Sequence, residues 1–450
     1  MQTTKKALAV LCAATLAVGA LAACSSSKSS GGSTKTSGSS APKVNLSGKT
    51  FTVLGQWTGA EQKAFQAVLD GFKKATGATG TYTPAAGGDE ATVLGTKVNG
   101  GTPPDVAMLA LPGAISQYAK ANKLQPLGSD AKAAVAANYA SVWTQLATVG
   151  GNVYGVPFDA SNKSTVWYAT KPFTDAGITN PPATWADFLK SAKTLSDAGV
   201  QVPVSIGGGD GWTLTDWFEN VYIRTAGLAS YDKLTHHQIP WTDPSVTKAL
   251  TTLKELWSNQ ALIGSPANAL KTPFPASVDN TFKASAKSAV VFEGSFVATT
   301  ITGDKLPAKV GTDAKFFPFP SVDGSKPALV GGGDFAVGFT KNAAVQPFLA
   351  YLASAEAAKA IVGSPGSGFL SANKNLATSD YNDATSGELG KQIVSVGDNF
   401  RFDMSDQAPA EFGGTPNKGE WADLQTFLGN GNVAAAQKAL EAHAKAAKGW

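Results

Sequence analysis

Thr50 to Leu54 reads Thr-Phe-Thr-Val-Leu, a β-rich run closed by Gly55, and behind it Phe65, Val68, Leu69 and Phe72 recur at i, i+3, i+4 and i+7. That spacing predicts strand, loop and amphipathic helix, with Thr58 and Glu61 spaced as a capping box at the helix start. Pro104 to Ala110 then reads as a buried strand after a Gly/Pro turn, and Ile115 to Leu124 as a helix. Strand patterns return at Ser164–Tyr168, Val202–Ile206 and Ala289–Phe292. Helical patterns lie around Phe188, Leu189, Ala192 and Leu195 after a Thr184 cap, at Phe348–Ile361, and in the Ala-rich tail from Val433 to Lys448. Strands alternating with helices imply an α/β fold with a mostly parallel sheet covered on both faces. The stretch Ala328 to Thr340 is strand-like but broken by Gly331-Gly332-Gly333.

The 450 residues are 43% hydrophobic and 16% charged, enough for two or three domains with real cores. Lys5 and Lys6 precede an apolar run, Ala7 to Ala23, of secretory-signal length. It closes on Leu21-Ala22-Ala23-Cys24, which resembles the lipobox of bacterial lipoproteins, whose cysteine is acylated with palmitate-type chains. The rival is plain cleavage after Ala20-Leu21-Ala22. Ser25 to Pro42 is a Ser/Gly/Thr tract without apolar residues, as a flexible tether should be. The expected division is therefore 1–23 signal and 24–46 anchored linker. With Lys5, Lys6, Lys28 and Lys35 set aside, 33 bases face 33 acids and no basic face for nucleic acid is implied. With Cys12 removed and Cys24 lipidated, no thiol remains for a disulfide or a thiolate site.

Motifs for catalysis fail in turn. No G-x-S-x-G, H-E-x-x-H, C-x-x-C or G-x-G-x-x-G in its required setting is present, and Ser47-Gly48-Lys49-Thr50 lacks the first glycine of a phosphate loop. His236 and His237 are adjacent and cannot share one metal face, so neither a metal nor a cofactor is expected. A pair of placed carboxylates, as sugar hydrolysis needs, remains open among 33 acids.

Several fragments in order resemble the family 1 extracellular solute-binding proteins of ABC importers, the group of maltose-binding protein. These are Trp57-Thr58-Gly59-Ala60-Glu61, Gly101-Thr102-Pro103-Pro104-Asp105-Val106, Tyr154-Gly155-Val156-Pro157, Trp167-Tyr168 and Pro182-Ala183-Thr184-Trp185. A narrower likeness is to α-glucoside-type binding lipoproteins. It runs through Gly211 to Trp217, Tyr231-Asp232, Glu293 to Phe296, Gly332 to Phe335 and Phe402 to Asp406. The apolar Leu109-Ala110-Leu111-Pro112 and the Phe at 296 depart from the pattern. The resemblance implies a two-lobed periplasmic-binding-protein fold of type II, with ligand closed between lobes joined by crossing hinge segments. One lobe would hold 47–158 plus 329–362 and the other 159–328 plus 363–450. Pro157 and the glycine run, with Gly332 at its middle, suit such crossings. The implied function is a monomeric, non-enzymatic lipoprotein on the outer face of the cell membrane. It would capture a sugar, an α-glucoside or other oligosaccharide, and deliver it to ABC permease subunits. The rivals are a secreted glycoside hydrolase and a same-fold receptor for a non-sugar solute.

A pyranose offers apolar C–H faces and a rim of hydroxyls, so a site needs flat rings and polar edge groups. Trp57 follows the first strand, where the C-terminal edge of a parallel sheet receives ligands, with core packing as the rival reading. Lys163, past the first crossing, and the pair Trp212 and Asp216, after Gly207-Gly208-Gly209-Asp210-Gly211, supply a donor, a stacking ring and an acceptor. The resemblance adds Glu61 as an acid, Phe296 and Trp421 as stacking rings, and Asp334 at the second crossing. Arg401 would pair with ligand, Asp403 or Asp406. Asp105 is expected to order its turn, and Trp217 to fill core.

Overall fold

The computed structural model describes residues 44–85 and 90–450; the signal, Cys24 and the tether up to residue 43 lie outside them. Besides a two-stranded hairpin, Thr148–Val149 with Asn152–Val153, three sheets organise the described residues. The first runs in the order Thr79–Pro84, Thr50–Gly55, Val106–Leu109, Phe335–Gly338, Gly155–Pro157. Phe51, Val53 and Leu54 of its second strand and all four residues of Val106–Leu109 are buried, as strands covered on both faces require. The helix Gly59–Thr76 packs against it through Phe65, Val68, Leu69 and Phe72. The second sheet runs Ala314–Pro318, Thr165–Ala169, Ser288–Phe292, Val202–Ser205. Its core includes Trp217, which packs on Trp185, Phe188, Phe292 and Phe319.

A small third sheet, Phe400–Phe402, Leu329–Gly332, Ser161–Asn162, lies on the paths between the other two. The chain leaves the first sheet at Pro157, pairs Asn162 with Gly331 and Ser161 with Gly332, and enters the second sheet at Thr165. It returns from Pro318 through Leu329–Gly332 to Phe335. The third strand, Phe400–Phe402, runs parallel to Leu329–Gly332.

Three expectations change. The sheets are mixed, because Phe335–Gly338 lies antiparallel between Val106–Leu109 and Gly155–Pro157. The helix expected over Phe348–Ile361 is two, Val345–Leu352 and Ala355–Val362, since Ser354 turns and its hydroxyl caps the second by accepting from the Ala357 N–H at 3.2 Å. Thr58 sits at the helix N-cap without a side-chain cap bond, so no capping box occupies Glu61. Thr184, in contrast, does cap its helix, accepting from the Asp187 N–H at 3.1 Å. Within residues 363–382 the Lys374 N–H donates to the Asn138 carbonyl, Phe369 packs on Trp57, and Gly368 lies against Thr299. Asp105, expected to order its own turn, instead ties it to neighbouring segments, accepting from the Thr52 N–H at 2.9 Å and from the Thr340 hydroxyl.

Among the three glycines of the second crossing, Gly333 is the one with positive φ, +153°, and a Cβ there would lie 2.2 Å from the Asp159 carbonyl oxygen. Two bonds hold the crossings at this distance, Asp334 N–H to Asp159 C=O at 3.2 Å and Phe158 N–H to Asp334 C=O at 2.9 Å. Only glycine meets both demands. Gly333→Ala should therefore cost about 1–3 kcal/mol of unfolding free energy, read from the urea midpoint. A wild-type midpoint would show that the crossing tolerates a side chain.

Candidate functional site

Lys163 follows directly on the strand Ser161–Asn162, and its backbone is tied on both sides: its N–H donates to Val330 C=O at 2.9 Å and its C=O accepts from the Asn220 amide at 2.8 Å. The ammonium so placed meets Asp403 at 2.5 Å, Asp216 at 3.4 Å and Asp406 at 3.5 Å. Asp216 comes from the helix Trp212–Ala226, and Asp403 and Asp406 from the start of the short helix Met404–Gln407. That helix start is pinned from below. Fully buried Glu219 accepts from the backbone N–H groups of Met404 at 2.7 Å and Ser405 at 3.1 Å and from the Tyr231 hydroxyl. One oxygen of Asp403 caps it, accepting from the Ser405 hydroxyl at 2.7 Å and the Asp406 N–H at 2.9 Å.

The charges divide by environment. Burial disfavours the Lys163 ammonium, but Asp216, Asp403 and Asp406 outweigh it and hold its pKa well above the usual lysine range. Burial would also raise Asp403, yet Lys163 and its hydrogen bonds hold it well below the carboxylate range. Asp216, with both oxygens buried and without a hydrogen-bond partner, is pushed well up by burial despite Lys163. Glu293 beside it is raised by burial and by Asp216. Asp406 is raised to about 6 by burial and by Asp403.

Against this cluster stand half-buried rings. Trp212 lies 5.3 Å from Phe274 and 5.9 Å from Phe296, Phe274 lies 5.3 Å from Phe296, and the Lys163 ammonium is 6.0 Å from the Trp212 ring. The glycine loop earns its composition by close approach: Gly211 has φ +85°, and a Cβ there would lie 2.9 Å from Trp421 Cβ. Trp421 thus converges on the loop that carries Trp212, with its indole nitrogen buried and without a partner. Its neighbour Glu420 is fully buried with both oxygens unpartnered, and its pKa is raised well up by burial.

The remaining expected residues form a second group by the crossings. Trp57 is 3% exposed and packs on Phe65, Tyr82, Phe158 and Phe369, so most of its ring is core. Glu61 lies exposed on the first turn of its helix, with its carboxyl raised by desolvation. Asp334 is raised to about 7 by burial and then by Glu61, with Asp406 adding to the shift and Trp57 and Gln56 opposing it. Asp159, with one oxygen buried and unpartnered, is raised well up by burial and by Asp334. Arg401 stands apart, paired with Asp232 at 2.5 and 3.0 Å rather than with Asp403 or Asp406.

Lys163, Trp212, Asp216, Phe296 and Trp421 are thus brought together, Trp57, Glu61 and Asp334 form the other group, and Arg401 joins neither. Sequence reasoning passed over Asp403, Asp406, Glu293, Asp159 and Phe274. The first three sat in matching motifs and carried the signal of acids inside apolar runs, whereas Phe274 becomes legible only when Asp210 is seen accepting its N–H at 2.6 Å. Two cavities lie elsewhere, and neither is lined by a residue of the cluster. One of about 730 Å³ runs along Ala314–Pro318, with rings but only the exposed Glu388 as acid; one of about 430 Å³, lined by Ser295, Thr299, Leu306 and Leu370, has no ring. Half-buried rings, a buried ammonium and buried carboxylates come together at the Lys163 cluster, which makes it the candidate site among the described residues.

Because the folded pKa of Asp334 lies above the ordinary carboxylate value, the folded state holds more protons than the unfolded one between about pH 4 and pH 7. Stability from this residue is full below that window and is lost as pH rises through it. Asp334→Asn should accordingly raise the melting temperature relative to wild type at pH 8 and lose most of that advantage at pH 4, followed by calorimetry. A pH-independent difference would mean that Asp334 is not the titrating group.

A family model described as bacterial extracellular solute-binding protein matches residues 56–359. The osmoprotective compounds-binding protein GgtB of Synechocystis sp. is 32% identical over 391 residues, covering 85% of this chain and 89% of that protein. The alpha-glucosides-binding periplasmic protein AglE of Rhizobium meliloti is 29% identical over 399 residues, covering 86% and 84%. Among solved structures, the bacterial solute receptor AcbH superposes with a TM-score of 0.72 at 21% identity over 88% of this chain and 99% of that one. RafE from Streptococcus pneumoniae superposes at 0.70 with 18% identity, over 88% and 98%. These neighbours are two-lobed receptors, and the three-sheet arrangement described above is that α/β fold. Over more than half its length, and with a relative above 30% identity, the chain belongs to the bacterial extracellular solute-binding proteins.

Proposed function

We propose that the protein is the sugar receptor of an ABC importer, taking an α-glucoside or other oligosaccharide between its lobes without covalent chemistry. The observation that carries this reading is the ring cluster of Trp212, Phe274 and Phe296, with Trp421 packed on Gly211, beside the Lys163 ammonium that gathers three carboxylates, rings for sugar faces beside acceptors for hydroxyls. The names of GgtB and AglE, binders of osmoprotective compounds and of alpha-glucosides, favour small glycosides. The lobes are 47–158 with 329–362 and 159–328 with 363–450. Glu61 and Asp334 face the sugar from the first lobe, with Trp57 backing them, while Arg401 lies at the rim. The lobes hinge at the third sheet, whose short strands are the paths between the larger sheets. An acyl chain on Cys24 would hold the receptor on the outer face of the cell membrane, beside its permease. No helix among the described residues is long and apolar enough to cross a membrane.

A thermal-shift panel of maltose, trehalose, sucrose and raffinose should give a rise of about 3 °C for the cognate sugar at 100 times its Kd. The sugar should be recovered intact by chromatography after long incubation. Cleaved sugar would make the protein a glycoside hydrolase, and no shift with any sugar would favour a non-sugar solute. Trp212→Ala should weaken binding of the cognate sugar by about 1–3 kcal/mol, taking base–aromatic stacking as the scale, with the far-ultraviolet circular dichroism unchanged. Full affinity in calorimetry would remove Trp212 from the site.

A further inference from the structure

The Lys163 ammonium carries three N–H donors and has three carboxylates around it. Asp216 and Asp403 are 0% and 1% exposed, while the Asp406 side chain is 33% exposed. Asp403 is also committed as a helix cap. Asp406 meets no side chain but Lys163 in the contacts described above, so most of its acceptor capacity faces outward. The ammonium is sunk to 13% exposure, donates its hydrogen bond to Asp403, and has its charge matched by Asp216 at 3.4 Å and Asp406 at 3.5 Å.

We propose that Asp406 is the ligand-contacting, specificity-determining carboxylate of this site and that Lys163 is a positioning residue, which holds Asp406 and Asp403 in place without touching the ligand. One cation among three carboxylates leaves an acceptor-rich surface. Its chemistry selects ligands that present hydroxyl donors, and it turns away sugar phosphates and uronates, whose charge would face Asp406 at close range. This assignment of substrate class rests on the sugar-receptor reading; the role of Lys163 does not.

Two experiments on the full chain separate the parts. Without ligand, Lys163→Met should speed hydrogen exchange at the Met404, Ser405 and Asp406 amides by about tenfold or more, because Asp403 and Asp406 lose the charge that anchors them; Lys163→Gln serves if the Met variant does not fold. Unchanged exchange at these amides would overturn the positioning role whatever the ligand. With the best binder among maltose, trehalose, sucrose and raffinose, Asp406→Asn should lose roughly 10- to 100-fold in affinity, as loss of a charge-assisted hydrogen bond does. Lys163→Met should lose a similar factor alone but less than about threefold more in the Asp406→Asn background. A Lys163→Met loss that persists undiminished in that background would make Lys163 a direct donor, and wild-type affinity in Asp406→Asn would remove Asp406 from the site. If none of the four sugars binds the unmodified protein, the receptor reading fails and the ligand role of Asp406 fails with it, while the exchange result still decides the role of Lys163.

Discussion

The ammonium of Lys163 sits where a crossing strand, the helix Trp212–Ala226 and the turn after Phe400–Phe402 meet, with a carboxylate on each of the latter two. A buried charge is costly unless paired and hydrogen-bonded. Here the cost of burying the cation is offset by three acids, and that of burying the acids by the cation, the cap bonds of Asp403 and the backbone donors on Glu219. Removing any one partner leaves the others uncompensated, which makes the cluster a joint as well as a site. The joint adjoins the third sheet, since the Lys163 N–H closes on Val330 in the strand that leads to Gly333.

That joint explains why the crossing segments tolerate so little ordinary packing. Leu329–Gly332 is squeezed between Ser161–Asn162 and Phe400–Phe402, and the ladder holds only two or three residue pairs on either side. Such a short sheet resists shear weakly. Position is instead enforced by polar anchors: Asn162 donates to Gln392 at 3.0 Å, and the Ser164 hydroxyl donates to Asn220 at 2.6 Å and accepts from the Val330 N–H at 2.9 Å. Hydrogen bonds of this kind are directional and few, so they define an orientation between two large cores without welding them together.

The cores were legible because they are periodic. Phe65, Val68, Leu69 and Phe72 bury one helix face, and the runs at Val106 and Val290 bury whole strands, as their hydrophobic spacing foretold. What periodicity does not encode is a chain that reverses between two strands already in place. The antiparallel Phe335–Gly338 has the same apolar composition as a parallel neighbour, and only long-range pairing separates them. The site was half legible for a related reason. Trp212 and Asp216 announce themselves as a ring and an acid after a glycine loop, but Asp403 and Asp406 look like cap residues, which Asp403 also is. Their second role arises from a lysine some 240 positions away in sequence, and no local signal carries that.

Buried acids outnumber buried bases around this joint, and burial pushes most of them toward the protonated form. Asp216, Glu293, Glu219 and Glu420 all have pKa values raised first by burial, whereas Asp403, closest to the ammonium, stays ionised. Neutral acids can sit against Trp212 and Trp421 without the penalty an ion would bring, and they retain both a donor and acceptors. A second lysine in their place would balance charge but fill the space with a strongly hydrated head group. Raised pKa values on these carboxyls lower the cost of gathering so many acids around one ammonium, Glu219 offsets its own burial by accepting from three donors, and Asp406 is the partly exposed acid of the three that face Lys163.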